Sequence, residues 1–447
     1  MAAKMKIQLS DHFNYKRLLR FVMPSIVMMV FTSIYGVVDG LFVSNFVGDT
    51  AFAAINLIMP FNTILGGVGF MLGSGGSALV AKILGERKQE QADRYFTMMI
   101  WVSVIVGAVL TAVGIAVMKP VSLLLGATEG MLPYCVLYGI VTMGFTVPFM
   151  LQYAFQSFLI AAEKPNLGLL ATVAAGVANM VLDALFIALF KWGVVGAALA
   201  TGISQCVGAA IPLIYFLRPN SSLLKLVKTK LEVKPILKAC ANGSSEMVSN
   251  ATSAVIGILY NFQLLKYAGE NGVASYGVLM YVQFVFAAIF IGYSMGSAPV
   301  ISYHYGAGNH AELKNLLKKS NILMFKTGAA MVAAAQLLAV PLAKLFVGYN
   351  PALFDMTVWA LRISTVSFVI VGFNVFASSF FTALNDGGVS AAISFLRTFI
   401  FKMAAILILP LLFKLDGIWF ADVTAEIFAF VISIIFLFAK RKKYQYM

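Results

Sequence analysis

The 447-residue sequence predicts an all-α polytopic membrane protein, its twelve transmembrane helices arranged as two parallel-repeat lobes of six. Three observations lead there. Hydrophobic residues make up 61% of the chain and charged residues 11%, at a mean hydropathy of +0.90. Soluble domains sit nearer 45–50% apolar and about 25% charged. Apolar runs long enough to cross a bilayer recur along the whole chain, and short strings of the first half return in the second at a nearly constant offset. Too few charges remain to solvate the three soluble domains this length would suggest. The wealth of aliphatic and aromatic residues excludes disorder.

A bilayer-crossing helix needs about 20 mostly apolar residues. Runs between Gly, Pro and charge breaks place helices 1 to 6 at 17–45, 52–81, 93–118, 130–157, 166–190 and 193–217. Helices 7 to 12 fall at 239–266, 272–303, 318–346, 356–382, 389–413 and 416–440. Continuous runs, rather than alternation over about ten residues, exclude a closed barrel. Helix 1 follows a polar, basic stretch, and its apolar run is too long for the core of a cleavable signal peptide. Helix 2 carries a glycine run from Gly66 to Gly76 that lacks the Gly-Lys-Ser/Thr ending of a phosphate loop and suits close helix packing instead. The longest polar stretch, 218–238, is expected to be a cytoplasmic linker between an N-lobe of residues 1–217 and a C-lobe of residues 239–447.

The net charge of +14 would suggest nucleic acid in a soluble chain, but here the charges cluster at the hydrophilic breaks. Twenty-three Lys and Arg, among them Lys4, Lys6, Lys16, Arg17 and Arg20 before helix 1, fall on one side. The opposite loops hold only Lys119, Lys191, Lys266, Lys344 and Lys414. Both termini are therefore expected to be cytoplasmic, with no nucleic-acid partner. Cys135, Cys206 and Cys240 lie far apart without metal-ligand spacing and read as small core residues. His304 and His310, near the loop after helix 8, read as solvated.

Gly76-Ser77-Ala78 with Gly85 recurs as Gly296-Ser297-Ala298 with Gly306, and Ser157-Phe158 recurs as Ser379-Phe380. Leu189-Phe190-Lys191 recurs as Leu412-Phe413-Lys414, and the offset stays between 220 and 224 residues. Six helices return the chain to its starting side, so the second half repeats the first in parallel. Two such lobes about an axis along the membrane normal are a transporter architecture, with the path between them.

Thirteen of the eighteen carboxylates fall in loops or at helix ends, and the other five lie within predicted spans: Asp39, Asp183, Glu246, Asp422 and Glu426. A carboxylate near the bilayer centre costs at least about 2.5–3.5 kcal/mol, which makes each a functional candidate. Counting about 1.5 Å per residue from the helix ends puts Asp39, Asp183 and Thr201 at similar depth in the outer half of the bilayer. Asn179 lies one turn deeper, on the face of Asp183. These oxygens suit a hard monovalent cation, and desolvated carboxylates close together could also exchange protons. A purely structural polar network is the alternative.

On these residues the chain resembles the multidrug and toxic compound extrusion (MATE) transporters. The resemblance spans nearly the whole chain. It rests on Tyr35-Gly36-Val37-Val38-Asp39 with Phe42-Val43, Pro60, Gly85, Asn179-Met180-Val181-Leu182-Asp183, and Gly193-Val194-Val195-Gly196-Ala197-Ala198 through Thr201. It implies export driven by an inward Na⁺ or H⁺ gradient, with Asp39, Asn179, Asp183 and Thr201 as the cation or proton site, and as the metal ligands if the ion is Na⁺. Pro24 matches a family proline associated with bending of helix 1, and a mid-helix proline frees a backbone carbonyl.

In the second lobe, Glu246 is a candidate for substrate binding or for pairing with Lys238 or Arg397. Lys402 comes out near the depth of Glu426, with Asp422 a turn away, so a contact of Lys402 with Glu426 or Asp422 is expected. The whole reading is a secondary active exporter of organic, mainly cationic, compounds, working by alternating access as a monomer in the plasma (cell inner) membrane. No enzyme activity and no cofactor are expected, only a coupling ion. The alternative is a lipid-linked saccharide or lipid flippase of the same superfamily, which would line its cavity with cationic residues for pyrophosphate, so Arg397 and Lys402 facing the cavity would favour it.

Overall fold

A computed structural model describes residues 7–348 and 350–447; Lys4 and Lys6, counted above toward the cytoplasmic side, lie outside them. Every regular element among the described residues is helical. The first half comprises α1 (Tyr15–Phe46), α2 (Asp49–Gly85), α3 (Gln89–Leu124), α4 (Leu132–Met143), α5 (Thr146–Ala161), α6 (Pro165–Asp183) and α7 (Gly193–Leu217). A π-turn, Ala184–Leu189, extends α6. The second half comprises α8 (Val233–Gly306), α9 (His310–Val347), α10 (Pro351–Ser364), α11 (Phe368–Ala383), α12 (Gly387–Phe395) and α13 (Lys402–Tyr444). A second π-turn, Leu396–Phe401, joins the last two.

Nine helical stretches among the described residues are long and apolar enough to cross a membrane, and α4 with α5, bent by 55°, makes a tenth. The sequence placed that bent pair in one span, 130–157. Two of the nine are too long for one crossing. Helix α8 has 74 residues, roughly 110 Å at the α-helical rise, against a hydrocarbon core of about 30 Å. It is interrupted at Gly269 (φ 62°, ψ −152°), and the stretch Gly387–Tyr444 is interrupted at Lys414 (φ 52°, ψ −129°). Divided there, the ten become twelve passes.

The turn residues carry the repeat. Left-handed φ values occur at Gly48 and Gly269, at Glu163 and Asn385, and at Lys191 and Lys414, offsets of 221, 222 and 223 residues. A non-glycine residue pays for that conformation only where surrounding packing imposes it. Its return at matched positions means both halves turn their helices in the same way.

Contacts between the halves gather at the end of the bundle that holds both termini. Gly75 of α2 abuts the backbone of Ala239 and Gly243, and Gly85 abuts Tyr303. Gly306 in turn abuts Lys82. A Cβ at any of these would meet opposing main chain, so small residues set the helix separation there. On α1, Val22, Ser25 and Ile26 lie against Gly292 and Gly296 of α8. Gly36 and Gly40, farther along α1, have nothing within 4 Å of a built Cβ. The closest main-chain approaches between the halves thus fall toward the terminal end, where α1 runs unbroken through Pro24, while Gly67 of α2 still meets Asn250 of α8 farther along.

Two segments tie down this end. Residues before α1 reach both halves: the Leu9 amide donates to Glu163 Oε1 (2.9 Å) and the Phe13 amide to Glu312 Oε1 (2.9 Å). Lys319 Nζ donates to the Phe13 carbonyl (2.7 Å), and Leu9 and Phe13 are fully buried. Under this strap sits His304, 2% exposed with its ring 6.4 Å from that of Phe13, so it is a buried residue and not the solvated one expected. The segment between α7 and α8 is laid on α3: the Lys225 amide donates to Asp93 Oδ1 (2.9 Å) and the Val227 amide to Thr97 Oγ1 (3.0 Å).

Candidate functional site: a carboxylate pair in the first half

Helix α1 supplies Asp39, α6 supplies Asn179 and Asp183, and α7 supplies Thr201. Asn179 and Asp183, four residues apart, share the buried face of α6 and are 2% and 0% exposed. A cavity of about 60 Å³ is lined by Asp39, Asn179 and Thr201, with Tyr35, Gln152 and Gln156 among its other walls. Asp183 is not part of that lining, but its carboxyl lies within hydrogen-bonding reach of Asp39, as does the Asn179 side chain. The structure therefore brings all four residues together.

What the oxygens lack is informative. Asp39 Oδ1, Asn179 Oδ1 and both oxygens of Asp183 are buried without a hydrogen-bond donor. Ionised carboxylates only accept, so two of them face to face are satisfied only by a shared proton or a cation between them. Buried polar atoms are nearly always partnered. An oxygen-only set matches hard cations, and the site equally fits a proton. The π-turn begins directly after Asp183, with the Phe190 amide donating to the Leu185 carbonyl (2.8 Å). Such turns concentrate at functional positions. Gln152 and Gln156 were missed in the sequence, although two glutamines four apart in an apolar helix are a legible signal; both have a buried side-chain carbonyl without a donor.

The second half is built differently. Arg397 Nε donates to Glu426 Oε1 and Oε2 (both 2.9 Å), and Asn374 Nδ2 donates to Glu426 Oε2 (2.7 Å). Lys402 Nζ lies 2.9 Å from Asp422 Oδ1, and Gln283 Nε2 donates to Asp422 Oδ2 (3.0 Å). Of the two partners named for Lys402, the structure brings up Asp422; Glu426 goes to Arg397. The π-turn explains the spacing. Arg397 and Lys402 are five apart and would diverge on an α-helix, whereas a turn closed by i→i+5 bonds brings them toward one face. They then meet Glu426 and Asp422, four apart on the antiparallel neighbour. Glu246 is half-buried and forms no ion pair among the described residues, neither with Lys238 nor with Arg397.

Comparison with known proteins agrees with this architecture. The multidrug export protein MepA of Staphylococcus saprophyticus is 25% identical over 91% of this chain and 88% of its own length. A solved multidrug resistance MATE family transporter of the MOP superfamily, in an outward-facing conformation, superimposes with a TM-score of 0.93 at 22% identity over the full length of both chains. A MOP superfamily transporter from Pyrococcus furiosus, described as having a binding pocket of reverse polarity, reaches 0.91 at 22% identity, again over both full lengths. The MatE family model matches residues 24–185 and again 246–407, an offset of 222 residues that coincides with the internal repeat, and the chain belongs to the MatE family.

Proposed function

We propose that the protein is a secondary active multidrug exporter, an antiporter that moves organic, mainly cationic, compounds out of the cell against an inward flow of Na⁺ or H⁺. The observation that carries this reading is the set of four unpartnered buried oxygens on Asp39, Asn179 and Asp183. A site of that kind binds a cation and has no use for a fixed partner. In this reading Asp39, Asn179, Asp183 and Thr201 bind the coupling ion, and Pro24 is the hinge of α1. The N-lobe, residues 1–217, and the C-lobe, residues 239–447, rock about the linker 218–238. The chain works as a monomer in the plasma membrane with both termini in the cytoplasm, so the closed end described above is the cytoplasmic one and the molecule stands outward-open.

The physical sequence is short. With the outer end open, a cation enters between Asp39 and Asp183 and relieves the repulsion of two buried like charges. Helix α1 links that event to the terminal contacts at Val22 and Ser25, with Pro24 between them. Coupling requires ion and substrate to favour different conformations or to compete. The flippase alternative loses support, because Arg397 and Lys402 are already paired with Glu426 and Asp422.

The test is efflux of a fluorescent organic cation from proteoliposomes under an imposed pH or Na⁺ gradient. Transport that follows one gradient is the expected result and names the ion. Failure of folded protein to move any organic cation under either gradient would remove the exporter reading.

A further inference from the structure

The internal repeat allows each residue of the candidate ion site to be traced into the second half. Gly48 and Gly269 end the first helix of each repeat in the left-handed region, so Asp39, nine residues earlier, corresponds to Tyr260. Gly196 packs on the backbone of Phe186 and Gly417 on that of Leu409. These pairs align Thr201, five past Gly196, with Asp422, and Asn179, seven before Phe186, with Lys402, while Asp183, three before Phe186, falls on the apolar Ile406, so the copy holds one carboxylate where the original holds two. The three polar counterparts come together: Lys402 Nζ is 2.9 Å from Asp422 Oδ1, and Tyr260 neighbours Asp422 with its buried hydroxyl otherwise unpartnered.

The two versions differ in where the positive charge comes from. In the first half Asp39 Oδ1 and both Asp183 oxygens are buried with no cationic side chain against them. In the second, an ammonium on a side chain sits on the carboxylate, and Gln283 caps the other oxygen at 3.0 Å. We propose that the second half carries a pseudo-symmetric copy of the cation site in which the ammonium of Lys402 permanently takes the place of the mobile ion. The copy is a self-occupied cation site of the same chemical class, a monovalent cation or proton against a buried carboxylate. Lys402 thereby confines ion coupling to the first half. The inference rests on the exporter reading for the identity of the first site, while the second site's own binding can be measured without it.

The experiment counts ions bound by the purified full chain in lipid nanodiscs, with radioactive Na⁺ at fixed pH in one arm and acid–base titration in the other. Lys402→Met is expected to bind one more cation per protein than wild type, in whichever arm responds. The extra site should survive in Lys402→Met/Asp39→Asn and vanish in Lys402→Met/Asp422→Asn. If Lys402→Met folds and binds no additional ion in either arm, the proposal is overturned. Because that variant exposes a buried carboxylate, its melting is also followed in NaCl against choline chloride, and in acid against neutral buffer. Stabilisation by Na⁺ or acid beyond that of wild type, lost in Lys402→Met/Asp422→Asn, supports the proposal; its absence counts against it. Wild-type binding that ignores Asp39→Asn would instead defeat the first-half reading and leave the second-half result standing.

Discussion

Asp39 and Asp183 were conspicuous in the sequence because a carboxylate inside an apolar run has to be explained by a partner. Their meeting was legible from depth alone. The partner choice in the second half was not, because it depends on the π-turn at Leu396–Phe401, and no residue pattern announces a π-turn. Two predictions belong at this scale. Asn179→Ala removes one of the buried unpartnered oxygens of the proposed ion site, and hydrogen bonds to charged groups are worth about 1.5–3 kcal/mol. The half-saturating cation concentration for transport should rise by roughly tenfold or more, as measured in an ion titration of efflux. Arg397→Gln leaves Glu426 buried without its cation, which should cost about 3–5 kcal/mol of stability. Arg397→Gln/Glu426→Gln should recover most of that loss in a denaturation experiment, and a double variant no more stable than the single one would mean the pair is not the interaction that matters.

Among the elements, hydropathy located nearly every helix, since a bilayer demands long apolar runs and leaves little choice. It could not foresee the 55° bend between α4 and α5, where Gly144 and Phe145 separate two helices that are both apolar. Nor did it find the strap ahead of α1, whose grip comes from main-chain amides and not from a motif. Glu312 holds that strap through the Phe13 amide and through His12 Nδ1, 2.6 Å from its Oε2. Inward opening has to release it, if the terminal end is the cytoplasmic gate. Glu312→Ala should therefore shift the conformational balance inward. Labelling of a cysteine placed at the half-buried Lys82 on α2, by a reagent supplied from the terminal side, should speed up severalfold, and an unchanged rate would remove the strap from the gate.

For the molecule as a whole, two features decide the account: the repeat, and the gathering of contacts between the halves at one end. The repeat was legible, because Gly-Ser-Ala and Leu-Phe-Lys strings return at one offset, and the left-handed turn residues return with them. Which end is closed was not legible, since it depends on main-chain approaches at Gly75, Gly85 and Gly306 that only the fold reveals. An unpartnered carboxylate pair in one half stands against two closed ion pairs in the other, which supports the proposal that the driving ion binds in the first half. The most direct measurement is export of an organic cation from proteoliposomes with and without the driving gradient, comparing wild type with Asp39→Asn of equal melting temperature. The account predicts that export by Asp39→Asn no longer responds to the gradient. Export that the gradient still accelerates in that variant would contradict it.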